Sequence, residues 1–395
     1  MDGDLLDAIK IMNENGLILP DYRDSNLNSI KEFSSDKEKN ISQKRVLIVL
    51  DALGSDLLNR VLEKNAGLKT AVGKMEIKTT KTIFPSLTPV VLTSFDSGMT
   101  VSEHAVVGDS MPVKEFNTIV NTMAYAPASD PSSKLDETKM SYVFQEPKLI
   151  NDLAKNNKTV VLIPENLKRS AYCSATFSKQ TIIPYIYFED MIAKVGKIMK
   201  EGSYEFIYAY VEAIDKLLHA YSPDSYEAEI LVQSLISLIS NNIFPIAKET
   251  GYKALITSDH GHMTLKSEDI IAVESNDKIS EFLTMPPWGS YRYYFLDVIE
   301  GKEDKFEQFF EATYGKKALL FKSDDLIKSG IFGGTNVKKG FEYRFGNYTM
   351  IGIGRNFFYY LYPGKKKWWA NSSYSQSGVH GGMSEAEMYV PVIRF

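Results

Sequence analysis

The chain has 395 residues, of which 44% are hydrophobic and 24% charged, proportions typical of a globular protein. Its length suits one large domain or one domain that carries a big insertion. A formal net charge of -5 and a pI near 5.7 argue against broad, non-specific nucleic-acid binding. The single cysteine, Cys173, excludes an intramolecular disulfide and fits a reducing compartment.

The sequence shows no pattern of secretion or membrane insertion. Residues 1–20 begin with acidic side chains and lack a continuous apolar core, so they do not have the pattern of a signal peptide. No run reaches the roughly 18 apolar residues that a membrane span needs. The stretch 230–246 comes closest, but Gln, Ser and Asn interrupt it. We therefore expect a soluble, cytoplasmic protein that binds no membrane.

The predicted elements begin with a short helix and a solvated lead-in over residues 1–43, because the segment after Pro20 is polar. The run VLIVL after Arg45 predicts a strand that is buried on both faces of a parallel sheet. Similar strand patterns recur at 159–163, 206–211 and 254–257, and helical patterns at 187–200 and 225–240 separate them. Strands that alternate with helices predict an α/β fold with a mostly parallel central sheet flanked by helices.

The composition of the chain changes after His262. Residues 264–370 are rich in aromatic side chains and in Gly-Gly, Pro-Pro and Lys-rich turns, which indicates a smaller α+β insertion or cap. The α/β core is then predicted to comprise 44–263 and 371–395. Several side chains of the cap suit either its core or a stacked base, namely Trp288, Tyr291, Tyr293, Trp368 and Trp369. The run Lys365–Lys367 suits either an anionic substrate or a solvated turn.

Acidic residues follow three of the predicted strands at the point where each strand ends. Asp51 comes directly after the first strand, Asp215 shortly after the third, and Asp259 after the fourth. Ligands of parallel sheets gather outside the carboxyl ends of the strands. We therefore expect these three carboxylates to converge on one edge of the sheet.

Histidines accompany these acidic residues or lie among glycines. Asp215 and His219 are four residues apart, so both side chains lie on one face of a helix. Asp259 and His260 are adjacent and converge only where the chain turns, which the following glycine permits. His380 has glycines close on both sides, which suits near approach of the backbone to a bound group. Each pattern taken alone also suits a surface hydrogen bond or a polar loop.

Thr88, followed by Pro89, has the pattern of a helix N-cap with proline at the first helical position. A helix that begins there directs free N–H groups and the positive end of its dipole at Thr88 and at any nearby phosphate. A threonine hydroxyl is a weak nucleophile until a metal or a base lowers its pKa. The simpler alternative is that Thr88 only caps the helix.

The order of these segments resembles the alkaline phosphatase superfamily and, within it, the nucleotide pyrophosphatase/phosphodiesterase branch. A strand-end Asp, a Thr at a helix start, Asp-x-x-x-His, Asp-His-Gly and a late His-Gly-Gly occur here in that sequence. The resemblance covers roughly residues 45–263 and 375–395 and leaves the insertion unmatched. It implies an alkaline phosphatase-like fold.

The resemblance also implies a hydrolase that holds two divalent metal ions, Zn²⁺ in preference to Mn²⁺ or Fe. By the family pattern, the ligands of one ion would be Asp51, Thr88, Asp259 and His260, and those of the other Asp215, His219 and His380. Thr88 would also be the nucleophile and would form a phosphothreonine intermediate. The implied reaction is hydrolysis of phosphodiester or pyrophosphate bonds in nucleotide-like small molecules.

Thr82 competes with Thr88 for the role of nucleophile. In relatives of this branch a Phe-Pro pair comes shortly before the nucleophile, and a glycine near the end of its helix follows. Phe84 and Pro85 precede Thr88, and Gly98 lies in the position of that glycine, whereas Thr82 comes before the pair. The resemblance therefore favours Thr88.

Asp109 departs from the family pattern, because the branch usually places there an asparagine whose amide helps bind the phosphate oxygens. A carboxylate repels phosphate unless it is protonated, turns away, or contacts a cation or a sugar hydroxyl. Asp109 and His262 are accordingly the candidate substrate-binding residues. Two alternative functions stay open: a phosphomonoesterase or phosphonate-ester hydrolase of the same superfamily, and a non-catalytic protein that keeps a relic metal site.

Overall fold

The computed structural model describes residues 3–35, 43–156, 158–275, 277–362 and 377–395. Its strands are β1 Arg45–Leu50, β2 Glu76–Lys81, β3 Ser110–Val113, β4 Thr118–Asn121, β5 Ala126–Pro127, β6 Thr159–Pro164, β7 Thr181–Tyr185, β8 Phe206–Val211, β9 Lys253–Thr257, β10 Met263–Thr264, β11 Ile270–Glu274, β12 Trp288–Ser290, β13 Tyr293–Leu296, β14 Ala318–Lys322, β15 Tyr348–Gly352, β16 Phe357–Leu361, β17 Gly378–Val379 and β18 Tyr389–Arg394.

The α-helices are α1 Gly3–Glu14, α2 Asn26–Ser35, α3 Ser55–Lys64, α4 Ala66–Val72, α5 Thr88–Ser97, α6 Val101–His104, α7 Lys148–Asn156, α8 Ala171–Thr176, α9 Phe188–Glu201, α10 Ala213–Tyr221, α11 Tyr226–Leu238, α12 Phe244–Thr250, α13 Glu303–Tyr314, α14 Ser323–Lys328 and α15 Glu385–Met388.

A seven-stranded sheet in the order β2-β18-β9-β1-β8-β6-β7 forms the centre of the fold. Strands β9, β1, β8, β6 and β7 pair in parallel, whereas β18 and β2 extend one edge through antiparallel pairs. Every residue of β1, β6 and β8 is buried, as expected for strands covered on both faces. The mostly parallel α/β core predicted from the sequence is confirmed.

A second seven-stranded sheet, β14-β15-β13-β12-β3-β4-β5, is antiparallel throughout. The predicted insertion, 264–370, supplies four of its strands. The other three come from residues 110–127, which the sequence boundaries assigned to the core segment 44–263. These strands are two to four residues long, too short for periodicity to show which sheet they join. One buried apolar cluster contains both Leu47 of β1 and Phe295 of β13, so the two sheets share a core.

Helices α1 and α2 pack against this shared core, in contrast to the solvated lead-in expected for residues 1–43. Met12 and Leu27 are buried in the same cluster as the central sheet. Asn26, at the start of α2, is fully buried, and its side-chain amide donates to the Ser258 carbonyl oxygen at 2.7 Å. The segment is polar overall, but a few apolar residues on one helix face are enough to bury that face.

The helical run Tyr226–Thr250 is the longest apolar one among the described residues. Its most apolar 18-residue window has a mean hydropathy of 1.6, and 39% of that window is buried. By length and composition alone such a helix is able to span a membrane, but core helices of soluble proteins have the same properties. Here α11 packs against α3 and α10. That the chain binds no membrane stays a prediction.

We predict that Asn26→Ala lowers the free energy of unfolding by about 1–3 kcal/mol, because the Ser258 carbonyl oxygen then loses a buried donor. Urea denaturation followed by circular dichroism measures this. Asn28→Ala is the matched control, since Asn28 lies on the same helix and its amide bonds only the exposed Glu32 side chain. Equal stability of the two variants would contradict the prediction.

Candidate metal centre

Three acidic segments meet at the carboxyl edge of the central sheet. Strands β9, β1 and β8 are neighbours, so the residues that follow them lie side by side. Asp51 follows β1, Asp259 lies just beyond β9, and Asp215 lies in the first turn of α10, which begins after β8. Ligand atoms of Asp51, Asp215 and His260 lie within 4.8 Å of one another. The structure thus brings together the carboxylates that the strand ends predicted.

One oxygen of each buried carboxylate is held by donors, whereas the other has no hydrogen-bond partner among the described residues. Asp51 Oδ2 accepts a hydrogen bond from the Tyr210 hydroxyl, and Asp51 Oδ1 has no partner. Asp259 Oδ1 accepts from the N–H of Ala52 at 3.1 Å and of His260 at 3.0 Å, and Asp259 Oδ2 has no partner. Burial, together with the charge of Asp259, raises the pKa of Asp51 well above its ordinary value. A cation would satisfy both oxygens.

The two unpartnered oxygens face one imidazole nitrogen. His260 Nε2 lies 3.5 Å from Asp51 Oδ1 and 3.4 Å from Asp259 Oδ2. The Thr88 hydroxyl lies 3.1 Å from the same nitrogen. His260 Nδ1 lies 3.0 Å from the Gly261 carbonyl oxygen, which favours the tautomer with its proton on Nδ1 and a lone pair on Nε2. Two carboxylates, an imidazole and a hydroxyl therefore converge on one point.

Two further histidines are held in the same manner on the other side of the centre. His219 Nδ1 lies 3.0 Å from the Gly378 carbonyl oxygen, and His380 Nδ1 lies 3.2 Å from that of Ser86. Their Nε2 atoms lie 3.3 Å and 3.6 Å from Asp215 Oδ1. Histidines that bind metals commonly donate their second N–H to a carbonyl oxygen, which fixes the tautomer and the ring orientation. The arrangement is that of three imidazoles ready to bind cations through Nε2.

His262 departs from this pattern. Its Nε2 lies 3.1 Å from Asp215 Oδ1, but its buried Nδ1 has no hydrogen-bond partner in the described ranges. Burial lowers the pKa of His262 to about 4. Burial alone would raise the pKa of Asp215, but the charge of His219 and the hydrogen bond from His262 hold it below its ordinary value. In the structure His262 lies in one group with Asp215, His219 and His380, whose ligand atoms are within 4.8 Å of one another, and its contact with the substrate stays a prediction.

The donor set fits divalent cations. Among the described residues, the ion-pair contacts of Asp51, Asp215 and Asp259 are all to imidazoles, and no lysine or arginine pairs with these carboxylates. Buried charge without a counter-charge is costly, so cations would stabilise this arrangement. Mixed nitrogen and carboxylate donors suit Zn²⁺, and also Mn²⁺ or Fe.

Thr88 is the first residue of α5, and Leu87 is the N-cap, so the prediction of Thr88 as the N-cap is wrong by one position. The hydroxyl contacts His260 Nε2 instead of capping the helix. Free N–H groups at this end are also fewer than expected. Pro89 has none, and the N–H groups of the next two residues donate to the Leu87 carbonyl oxygen. The positive end of the helix dipole nevertheless lies at Thr88.

Thr88 lines a cavity of about 290 Å³ beside the carboxylates, a size that fits a small ligand. Residues from both sheets and their loops contribute to it, including Asp109, Tyr210, Lys216, Ser290, Tyr291 and His380. His262 is not among the described residues that line this cavity. Thr82 is fully buried and donates its hydroxyl proton to the Asp259 carbonyl oxygen, so it offers the cavity no free hydroxyl.

Asp109 adds a carboxyl group to the cavity. The Ser290 hydroxyl donates to Asp109 Oδ2 at 2.7 Å, so the side chain does not turn away. Burial raises the pKa of Asp109, while the hydrogen bond from Ser290 opposes the increase. Lys216 is the one lysine or arginine in the described lining, and its amine pairs with Glu212. An ionised Asp109 would lower the positive potential that a substrate meets.

Tyr291 is the candidate base-stacking residue that reaches the cavity. It is 37% exposed and stacks on Phe357, with 4.7 Å between ring centroids. Trp288 and Tyr293 are 1% and 0% exposed within the shared core, so neither offers a face to a base. Of the two alternatives for Trp288 and Tyr293, the structure supports a place in the core. The remaining candidates, Trp368, Trp369 and Lys365–Lys367, lie outside the described residues.

Sequence reasoning missed three residues that contact the predicted ones. Tyr210 is the second-last residue of β8 and donates to Asp51. Its position near the end of a predicted strand could have marked it as a neighbour of the site. Ser86 and Ser290 could not be predicted from the sequence, because their contacts with His380 and Asp109 join positions 294 and 181 residues apart. No local pattern shows such contacts.

Comparisons with solved structures show the same fold. Human ectonucleotide pyrophosphatase / phosphodiesterase 5 matches with a TM-score of 0.63 at 16% identity, over 89% of this chain and 87% of that one. The murine protein, an inactive variant in complex with AMP, matches with a TM-score of 0.61 at 15% identity, over 89% of this chain and 87% of that one. Phosphonoacetate hydrolase from Sinorhizobium meliloti 1021 in complex with phosphonoformate matches with a TM-score of 0.58 at 13% identity, over 89% of this chain and 90% of that one.

A family model described as type I phosphodiesterase / nucleotide pyrophosphatase matches residues 45–318, which is more than half of the chain. No curated protein matches the sequence. The matched range includes Asp51, Thr88, Asp215 and Asp259, and the solved structures agree on an alkaline phosphatase-like fold. The chain therefore belongs to the type I phosphodiesterase/nucleotide pyrophosphatase family of the alkaline phosphatase superfamily, a family of phosphoester hydrolases.

Proposed function

We propose that the protein is a two-metal hydrolase of phosphodiester or pyrophosphate bonds in nucleotide-like small molecules, with Thr88 as the nucleophile. The observation that carries this proposal is the position of the Thr88 hydroxyl. It lies 3.1 Å from His260 Nε2, the nitrogen that the free oxygens of Asp51 and Asp259 also face. A hydroxyl among metal-ligand atoms and on a substrate-sized cavity is placed to be activated as a nucleophile.

The described donors divide into two sets around the centre. One consists of Asp51, Thr88, Asp259 and His260, and the other of Asp215, His219 and His380, with His262 beside Asp215. Bound divalent ions would lower the pKa of the threonine hydroxyl and of a water, and would neutralise the charge of the transferred phosphoryl group. Zn²⁺ suits these donors first, with Mn²⁺ or Fe as alternatives.

The chain's own residues orient the reaction. The Thr88 oxygen attacks phosphorus in line, a P–O bond to the leaving alcohol or phosphate breaks, and a phosphothreonine forms. Water then attacks the same phosphorus and releases Thr88. The dipole of α5 favours negative charge at its first residue, which is where the phosphoryl group would sit. Tyr210 and the backbone N–H of Ala52 hold the carboxylates while this happens.

Features of the cavity support a nucleotide-like substrate. Tyr291 presents a partly exposed ring that is supported from behind by Phe357, an arrangement that suits stacking of a base. The murine relative was solved with AMP and the bacterial one with phosphonoformate. Phosphonate and monoester substrates are therefore the alternatives to be compared with diesters.

We predict that Thr88→Ala lowers turnover of bis(p-nitrophenyl) phosphate by on the order of 10³-fold or more, because the attacking oxygen is removed. Thr88→Ser, which keeps a hydroxyl, should retain measurable turnover. Metal content is measured in both variants, so that loss of a ligand is separated from loss of the nucleophile. Full turnover by metal-replete Thr88→Ala would exclude the covalent route. If the parent prefers the mono-ester over the bis-ester, the diesterase assignment fails.

Asp109 supplies a second prediction, because a carboxylate repels a dianionic monoester more than a monoanionic diester. Asp109→Asn should raise kcat/KM for p-nitrophenyl phosphate relative to the bis-ester by about tenfold, roughly 1.4 kcal/mol of repulsion. Asp304→Asn, on the exposed side of α13, is the control for a change in net charge. An unchanged ratio at neutral pH would show that Asp109 does not act as a charge on the substrate.

Tyr210 supplies a third prediction. Tyr210→Phe removes the donor to Asp51 Oδ2, so the affinity for one metal ion should fall by about 10–100-fold. Competition with a fluorescent chelator measures the affinity. Tyr185→Phe is the matched control, since that hydroxyl donates to the Tyr210 carbonyl oxygen and not to a carboxylate. The same affinity in both variants would rule out a role of Tyr210 in metal binding.

A further inference from the structure

Glu387 of α15 is a buried carboxylate that contacts the loop carrying His380. Its Oε1 accepts a hydrogen bond from the Gly382 N–H at 2.8 Å. Its Oε2 accepts from the Ser384 N–H at 3.1 Å and from the Ser384 hydroxyl at 2.6 Å. The side chain is 0% exposed, so these bonds are shielded from water. Glu387 thereby fixes the backbone that follows a predicted metal ligand.

The backbone of Glu387 contacts the other ligand loop. The Gly261 N–H donates to the Glu387 carbonyl oxygen at 2.9 Å, and the Gly261 carbonyl oxygen lies 3.0 Å from His260 Nδ1. One residue therefore joins the segment of His260 to the segment of His380. According to the proposed function, these two histidines belong to different metal sites.

Two glycines make this approach possible. A Cβ on Gly382 would lie 2.8 Å from Glu387 Oε2, and a Cβ on Gly261 would lie 2.0 Å from the Ala386 carbonyl oxygen. A side chain at position 261 would displace the backbone of α15, and one at position 382 would displace the Glu387 carboxylate. The His-Gly-Gly and Asp-His-Gly patterns are thus explained by the packing of both loops against one short helix.

Arg292, between β12 and β13 of the second sheet, forms a buried ion pair with Glu387. Its Nε and Nη2 donate to Glu387 Oε1 and Oε2 at 3.0 Å and 3.2 Å, and both side chains are fully buried. Its remaining donors bond the carbonyl oxygens of Gly354 and Asn356. Arg292 holds the pKa of Glu387 below its ordinary value despite burial. The ion pair therefore links the loop after β15 to both ligand loops.

The contact that this arrangement supports is the stack between His260 and His380. Their ring centroids lie 3.7 Å apart with an interplanar angle of 9°. A shift of either loop would change this separation, and with it the distance between the two Nε2 atoms. Metal sites lose affinity when groups that orient their ligands are removed.

We propose that Glu387, held by Arg292, is a positioning residue that sets the spacing of the two metal sites by joining the His260 and His380 loops. This inference rests on one part of the proposed function, the assignment of the two histidines to metal sites. It also assigns the second sheet a role in metal binding, through Arg292.

A matched pair of double variants tests the proposal: Arg292→Met/Glu387→Gln and Arg292→Met/Glu387→Met. Both remove the buried ion pair, and Gln and Met have similar length. Gln keeps an oxygen that accepts the Gly382 N–H, whereas the Met sulfur is a poor acceptor. We expect the Met variant to bind Zn²⁺ about 10–100-fold more weakly than the Gln variant, in competition with a chelator. Equal affinities would overturn the proposal.

Two further measurements separate positioning from general loss of stability. Arg344→Met removes another buried arginine, whose partners are the carbonyl oxygens of Ala105 and Tyr142, and should leave Zn²⁺ affinity unchanged. If it weakens binding as much as the Met variant does, positioning is refuted. Hydrogen exchange of the metal-free protein should show lost protection around Gly382 in the Met variant alone, and equal protection would also overturn the proposal. A parent that binds Zn²⁺ without hydrolysing phosphoesters would refute the proposed function and leave this inference standing.

Discussion

The centre depends on buried carboxylate oxygens that no donor of the described chain satisfies. Asp51 Oδ1 and Asp259 Oδ2 are surrounded by protein, yet each lacks a hydrogen-bond partner, while the second oxygen of each carboxylate is held by Tyr210 or by backbone N–H groups. Such an arrangement is costly unless a cation compensates it. The parallel sheet makes it possible, because three neighbouring strands end at the same edge and deliver their acidic residues together.

The same constraint explains why the loops around the centre are so closely bonded. Ligands from distant segments bind a common ion only if their backbones are fixed. The two-stranded pair of β10 and β17 aligns the segment after His260 with the segment before His380. The Ser86 hydroxyl donates to the Gly382 carbonyl oxygen, and its own carbonyl oxygen faces His380 Nδ1. The loop that precedes Thr88 and the loop of His380 are thus held together by a single serine.

The parts of this structure that followed from the sequence are those with a local physical signal. The run VLIVL predicted β1, and the position of Asp51 directly after this run predicted that its carboxylate lies at the sheet edge. The i, i+4 spacing predicted that Asp215 and His219 share a helix face. What failed depended on contacts between distant segments. The short strands within 110–127 join the second sheet, and Asn26 is buried against Ser258, because of partners that lie far away in sequence. The cytoplasmic location stays a prediction, since no feature of the fold bears on it.

The packing of the imidazoles also affects the protonation state of His380. His260 and His380 stack nearly parallel at 3.7 Å, and two positively charged rings at that distance would repel each other. Burial, together with the neighbouring His260, holds the pKa of His380 well below its ordinary value, so the His380 ring stays neutral at physiological pH. A neutral imidazole with its proton on Nδ1 is the form that offers Nε2 to a metal ion. Because the Nδ1 atoms of His219, His260 and His380 each lie within hydrogen-bond distance of a backbone carbonyl oxygen, the fold leaves the Nε2 lone pairs available to a metal ion.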